Sequence, residues 1–269
     1  MVTTSLKPKG HMYAVQASKR VHRAPHLDVV ASPHFTLVAP NSLPPIVDLR
    51  PMCSPVENQG PIGSCTGHAF SGAIEYLENS LGAFEPKKGS YFEVSRLFTY
   101  YNERVLERTT TQDAGAFIHD GIKALSTYGI CQESIWPYDV TKFSVKPGAG
   151  AYADAATRKI TKFAQVINTD INQVKQTLAS GFPIVCGIQI YEAFESAQIA
   201  HTGQVQMPKP GEKCLGGHAV LMVGYNDNLQ RVLFRNSWGP EWGVGGYFSL
   251  PYAYITNMRL TSDAWVINK

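Results

Sequence analysis

Asn58-Gln59-Gly60-Pro61-Ile62-Gly63-Ser64-Cys65-Thr66-Gly67-His68-Ala69-Phe70 is the stretch from which the rest of the chain can be read. It begins as a glycine- and proline-rich loop and turns into a helix. Beyond Cys65 the apolar residues fall at Phe70, Ile74, Leu77 and Leu81, which is helical spacing. Ala69, Ala73 and Glu75 suit a helix as well. The pattern predicts a helix over about 66–81 with Cys65 at its N-terminus. Unpaired N–H groups and the positive end of the helix dipole favour a thiolate there, and the thiolate is the reactive form of cysteine. Gln59 carries an amide that can donate to the atom under attack, and the backbone N–H of Cys65 is a second donor. Two donors converging on one oxygen make an oxyanion hole. A lone cysteine is more often a buried, inert thiol, so the remainder of the chain has to decide.

The decision comes from Gly216-Gly217-His218-Ala219-Val220, which places a histidine at the start of a strand. Asn236-Ser237-Trp238-Gly239 closes the next strand of the same predicted hairpin. Asn236 can accept the imidazole N–H and fix its tautomer, and Trp238 can shield that bond from water. His218 then takes the Cys65 proton, and the pair is expected to rest as thiolate and imidazolium, the arrangement of nucleophile, base and orienting group. His68, three residues past Cys65, shares a helix face with it. Its side chain points back over the preceding turn and has no evident orienting partner, so His218 is the expected base.

These motifs together resemble the papain-type cysteine peptidases, in particular bacterial members with a short N-terminal segment. The matching motifs are Asn58-Gln59-Gly60-x-x-Gly63-Ser64-Cys65, Gly217-His218-Ala219-Val220 with Val223-Gly224-Tyr225, and Arg235-Asn236-Ser237-Trp238-Gly239-x-x-Trp242-Gly243 with Gly246-Tyr247-Phe248. They lie within residues 46–250 in the family's order. The resemblance implies an α+β, two-lobed fold: a helical left lobe, an antiparallel β-barrel right lobe and the active site in the cleft between them. It implies a catalytic triad of Cys65, His218 and Asn236, an oxyanion hole of Gln59 and Cys65, and substrate contacts at Gly115, Ala116, Gly217 and Trp238. Peptide-bond hydrolysis through a thioester follows, with protein or peptide substrates, cystatin-like or small thiol-reactive inhibitors as partners, and no cofactor or metal. Three features depart from the family. Thr66 stands where a Trp follows the nucleophile, Ile62 replaces the first loop cysteine, and residues 1–43 are too short and proline-rich to be expected to form the family's long helical pro-domain.

Other functions fit less well. Cys65-x-x-His68 and Cys214-x-x-x-His218 have zinc-ligand spacings, but zinc would quench the nucleophile and leave Gln59, Asn236 and Trp238 without roles. A transamidase, a deamidase or a catalytically silent binding module would share the fold. Residues 1–43 carry Lys7, Lys9, Lys19, Arg20 and Arg23 against Asp28, a charge of +4, while the whole chain is +3. The body is thus close to neutral, unlike a nucleic-acid binder. No apolar run reaches the ~20 residues of a membrane span. Residues 1–23 lack the apolar core of a secretory signal, so the expected location is cytoplasmic or reached by non-classical export. A monomer is expected.

The chain divides into an N-terminal arm over 1–43, read as a short pro-segment able to lie in the cleft through apolar spots such as Val29-Val30, Phe35 and Leu37-Val38, and a catalytic domain over 44–269. The helical lobe is expected at about 60–143, with helices over 66–81, 90–106 and 117–128. The β lobe is expected at about 157–269. It should hold strands at 162–168, 183–191, 219–225, 231–235 and 246–250, and a short helix N-capped by Asp170. Residues 144–156, rich in Gly, Ala and Pro, read as a loop, as do residues 195–215. The five cysteines are Cys53, Cys65, Cys131, Cys186 and Cys214. Only Cys53 and Cys214 are a conceivable pair.

Overall fold

The computed structural model describes residues 35–81 and 93–269. Helix α1 spans Cys65–Leu81, α2 Arg96–Glu107, α3 Ile118–Thr127 and α4 Ala149–Ala155. Ser95 starts α2 by accepting the Phe98 N–H at 3.1 Å, so that helix begins later than the expected residue 90, which lies outside the described residues. Gly67 lets α1 and α2 touch: a Cβ there would sit 2.5 Å from the Arg96 carbonyl oxygen. The two helices therefore cross within a turn of Cys65.

The second half is a seven-stranded sheet in the order β2-β7-β3-β4-β5-β6, with β1 on β4. Its strands are β1 Ile46–Asp48, β2 Lys162–Gln165, β3 Ile184–Tyr191, β4 Cys214–Asn226, β5 Arg231–Arg235, β6 Tyr247–Pro251 and β7 Thr261–Asn268. All its pairings are antiparallel. The sheet is open: β2 and β6 end it without pairing to each other, so the barrel implied by the resemblance is not closed by hydrogen bonds. The central strand β4 pairs with β3 over its first half and with β5 from Leu221 on, where β1 takes the edge that β3 leaves.

Alternation along these strands joins the lobes. Val220 and Met222 of β4 and Ala264 and Val266 of β7 enter the core of the β lobe. Ala219, Leu221, Val223, Trp265 and Ile267 enter a second core with Phe70, Ile74 and Leu77 of α1 and Ile118 and Ile122 of α3. A sheet covered on both faces reads as continuous apolar runs rather than as alternation. Cys65 lies in that second core, at the seam between helices and sheet.

Two expected loops contain helices. α4 lies inside 144–156, and α6 (Ala197–Thr202) lies inside 195–215; α5 (Ile171–Ala179) precedes them and α7 (Tyr252–Ile255) follows. Asp170 caps α5 as expected, accepting the Asn172 N–H at 3.0 Å. The last described part of the arm is docked on the β lobe. Phe35 is buried in its core and meets Phe182 edge to face at 5.1 Å. Val38 donates to Ser180 Oγ at 2.8 Å and accepts from Gln176 Nε2 at 3.0 Å. Phe35 and Val38 thus anchor the arm on α5 and its flank, a correction to the expectation that they lie along the cleft. Val29 and Val30 fall outside the described residues.

All five cysteines are free. Cys53 Sγ donates to the Leu49 carbonyl at 3.6 Å and Cys214 Sγ to Gln189 Oε1 at 3.5 Å, so the conceivable pair is not joined. Titration of the unfolded, unreduced protein with a thiol reagent is expected to find five thiols; three would show a disulfide.

Candidate active site

Three elements meet at Cys65. α1 supplies the sulfur at its first residue. β4 supplies His218, and the N–H of the next residue, Ala219, donates to Cys65 Sγ at 3.4 Å. The turn after β5 supplies Asn236, whose Oδ1 lies 2.8 Å from His218 Nε2. The Ser237 N–H also donates to that Oδ1, at 2.8 Å, which fixes the amide with its oxygen toward the imidazole. His218 Nε2 must then carry the proton it gives Asn236, and Nδ1 is the nitrogen left to exchange one. Trp238 stacks on His218 with ring centres 5.0 Å apart and an interplanar angle of 27°. Behind it lie Phe194 and Trp242, at 5.4 and 4.9 Å. The shield expected of Trp238 is thus backed by the β-lobe core.

The Gln59 loop is held from both sides. The Gln59 N–H donates to the Ser237 carbonyl at 2.8 Å, and Ser237 Oγ donates to Gln59 Oε1 at 2.6 Å. The amide oxygen is therefore occupied, and the NH₂ group faces the other way. One of its hydrogens goes to the Ile62 carbonyl at 2.9 Å, leaving the second for a ligand. The Tyr138 hydroxyl donates to the Gln59 carbonyl at 2.8 Å and contacts Ser64 Oγ at 2.6 Å. Asp113 accepts the Gly63 N–H at 2.9 Å. Sequence reading assigned no role to Ser237, Tyr138 or Asp113. Ser237 stood within a quoted motif, whereas Tyr138 and Asp113 act across long loop closures that carry no local signal.

Gly115 has φ of 71°, the left-handed region that favours glycine, and donates its N–H to the Tyr100 hydroxyl at 3.2 Å. Ala116 packs against Ile62, Leu97 and Tyr100, so this segment adjoins the Gln59 loop. Gly217 is opposite Gln189 on β3. No three His, Cys, Asp or Glu side chains converge on a metal-sized site among the described residues; His68 Nδ1 instead meets the Ser64 carbonyl at 3.0 Å.

The matching family model is the papain family cysteine protease, over residues 43–266. The chain belongs to the papain family of cysteine proteases. It is 41% identical over 244 residues to an uncharacterised peptidase C1-like protein of Acanthamoeba polyphaga mimivirus, covering 86% of this chain and 77% of that one. Among solved structures it is similar to xylellain, a cysteine protease from Xylella fastidiosa: TM-score 0.81, 36% identity, 100% of this chain and 99% of that one covered. The fold is also shared with a Carica candamarcensis cysteine protease solved in complex with E-64, at TM-score 0.62 and 21% identity, over 84% of this chain and 99% of that one.

One feature is unlike an open protease cleft. Cys65, His218, Gln59 and Ala116 are each 0% exposed. Burial pushes the Cys65 thiol up to about 12; the Ala219 N–H works against this and the nearby Glu103 carboxyl adds to it. Desolvation therefore opposes the thiolate that the helix N-terminus favours at this sulfur.

Proposed function

We propose that this cysteine protease cleaves peptide bonds with Cys65 as nucleophile, His218 as general base and acid, Asn236 as orienting group and Gln59 with the Cys65 N–H as oxyanion hole. The observation that carries the assignment is the His218–Asn236 bond at 2.8 Å beneath Trp238, with Cys65 Sγ held by the neighbouring Ala219 N–H. Cys65 Sγ gives its proton to His218 Nδ1 and adds to the carbonyl carbon. The oxyanion takes the second Gln59 Nε2 hydrogen and the Cys65 N–H. His218 returns the proton to the departing amine, leaving a thioester. Water then attacks with His218 as base and frees the acid. Gln59→Ala is expected to lower kcat by roughly 10²–10³ with the fold intact, the size of one lost oxyanion donor. A kcat within tenfold of wild type would remove Gln59 from the mechanism.

Substrate backbone pairs with the Gly115-Ala116 edge as an added strand, and Gly217 brings no charge to the neighbouring side-chain pocket. A peptide-library profile is expected to favour an apolar residue second before the cleaved bond. It should disappear after treatment with E-64, the inhibitor bound to the Carica protease. Selection for an acidic residue at that position would count against the reading. Cys65 has no exposure and meets a polypeptide only after something moves; residues 1–34 are the segment expected to control that access.

A further inference from the structure

His68 is a buried histidine that neither the nucleophile nor the base accounts for. It is 5% exposed, and Asn236, which lines the same small cavity, is 4% exposed. The cavity lies between α1, the start of α2 and the end of β5, and leaves about 10 Å³ for the centre of a water molecule, close to the room one water needs. Glu57, Glu75, Arg96 and Arg235 complete its charged lining, and Ser71 lines it too.

The hydrogen-bonding capacities around it are complementary. His68 Nδ1 faces the Ser64 carbonyl at 3.0 Å, so Nδ1 carries the proton and Nε2 is an acceptor. Burial, and after it the Arg96 charge, favour the neutral ring. Among the described residues, His68 Nε2, Ser71 Oγ and Asn236 Nδ2 have no partner, although all three are buried. Asn236 Nδ2 can only donate, and His68 Nε2 can only accept. Neither can be left dry without the cost of an unmet buried polar group. A water satisfies both: it accepts from Asn236 Nδ2 and donates to His68 Nε2, with Ser71 Oγ as a third partner.

We propose that this cavity is a built water site through which His68 holds the Asn236 amide in the orientation His218 needs, making His68 a positioning residue for the proton-transfer pair; the inference rests on the triad proposed above. The chain of contacts runs from the Ser64 carbonyl, adjacent to the nucleophile, through His68 and the water to Asn236 and so to His218. Both reacting side chains are then referenced to one buried ring. Asn236 already has its oxygen fixed by the Ser237 N–H; the water fixes the other end of the amide. Without it the amide can tilt or flip, and the His218 imidazolium loses its partner.

The test compares His68→Phe, His68→Gln and Ser71→Ala with Asn236→Ala in the otherwise intact chain. His68→Phe keeps a ring in the space and removes both nitrogens, and Gln places an acceptor oxygen near the position of Nε2. For His68→Phe, kcat is expected to fall roughly threefold to tenfold at unchanged KM, the worth of one buried hydrogen bond. The basic limb of the pH profile should move down by about half a unit to one unit, since a less well held imidazolium gives up its proton earlier. His68→Gln is expected to recover both, and Ser71→Ala to shift the limb less. A crystal structure of the wild type should place a water within hydrogen-bond reach of His68 Nε2 and Asn236 Nδ2. If Asn236→Ala moves the limb and His68→Phe leaves it in place, or if the cavity holds no water, the inference is overturned. If Asn236→Ala itself leaves the limb unmoved, the failure lies with the triad assignment instead. If His68→Phe does not fold, His68→Gln and the wild-type crystal structure decide alone: a water in place with a wild-type limb supports the proposal, and a dry cavity or a limb that the glutamine fails to keep overturns it.

Discussion

Cys65→Ala and His218→Ala are each expected to abolish peptide hydrolysis, a loss of roughly 10⁴ or more in kcat/KM, while His68→Ala retains at least about a tenth of wild-type activity. The asymmetry follows from what each ring touches. His218 has an orienting acceptor at 2.8 Å and an indole over its face, and its strand donates to the sulfur through Ala219. His68 is turned toward the Ser64 carbonyl and stands edge to face with Tyr138 at 4.9 Å. Burial holds its pKa down at about 3, which favours the uncharged ring near neutral pH. A base for thiol catalysis has to become imidazolium near neutral pH, and His68 does not. Activity assays of the three variants, with thermal melts to establish folding, check this. An inactive His68→Ala beside an active His218→Ala would reverse the roles.

The site was legible in the sequence because each of its parts lies inside a short, dense motif. Cys65 announces itself by the switch from a glycine-rich loop to helical spacing. His218 and Asn236 flank two adjacent strands of one antiparallel hairpin, so their proximity follows from register alone. The strands read at 183–191 and 231–235 were equally visible, because apolar runs bounded by turn residues have few other readings. What stayed hidden depended on small side chains or distant packing. α4 has Ala151 and Ala155 one turn apart on its buried side, against Phe98 and Cys131; alanines carry little hydrophobic contrast, so the stretch read as a loop. The docking of Phe35 on Phe182 joins residues far apart in the chain, and no local pattern encodes such a contact. The burial of Cys65 stayed hidden for a related reason. A helix N-terminus is visible in sequence, whereas the depth at which it is buried is a property of the whole fold.

Burial of the sulfur leads to a second rate effect, in the opposite direction. Removal of residues 1–34 is expected to accelerate inactivation of Cys65 by a thiol-reactive inhibitor by at least roughly tenfold and to lower the pH at which the reaction reaches half its maximum. The cut belongs before Phe35, because Phe35 and Val38 are anchored on the β lobe and a truncation at residue 43 would open its core. The sign follows from desolvation. The charged thiolate is the form that burial penalises, so burial pushes the Cys65 thiol up to about 12 and holds down its thiolate fraction near neutral pH. Solvent reaching the sulfur removes that penalty, and what remains at Cys65 favours the anion: the helix N-terminus, the Ala219 N–H and the His218 imidazolium. The thirty-four residues ahead of the anchor could extend up to ~110 Å, enough to reach any point of the cleft, and the tether gives them a high effective concentration there. Each tenfold gain in rate on truncation corresponds to about 1.4 kcal/mol of cover binding. Addition of the 1–34 peptide in trans should restore part of the protection, more weakly because the tether is lost. Equal inactivation rates and equal pH profiles for the intact and truncated chains, with both folded, would show that residues 1–34 do not guard the site, and that Cys65 is uncovered by a movement within the body itself.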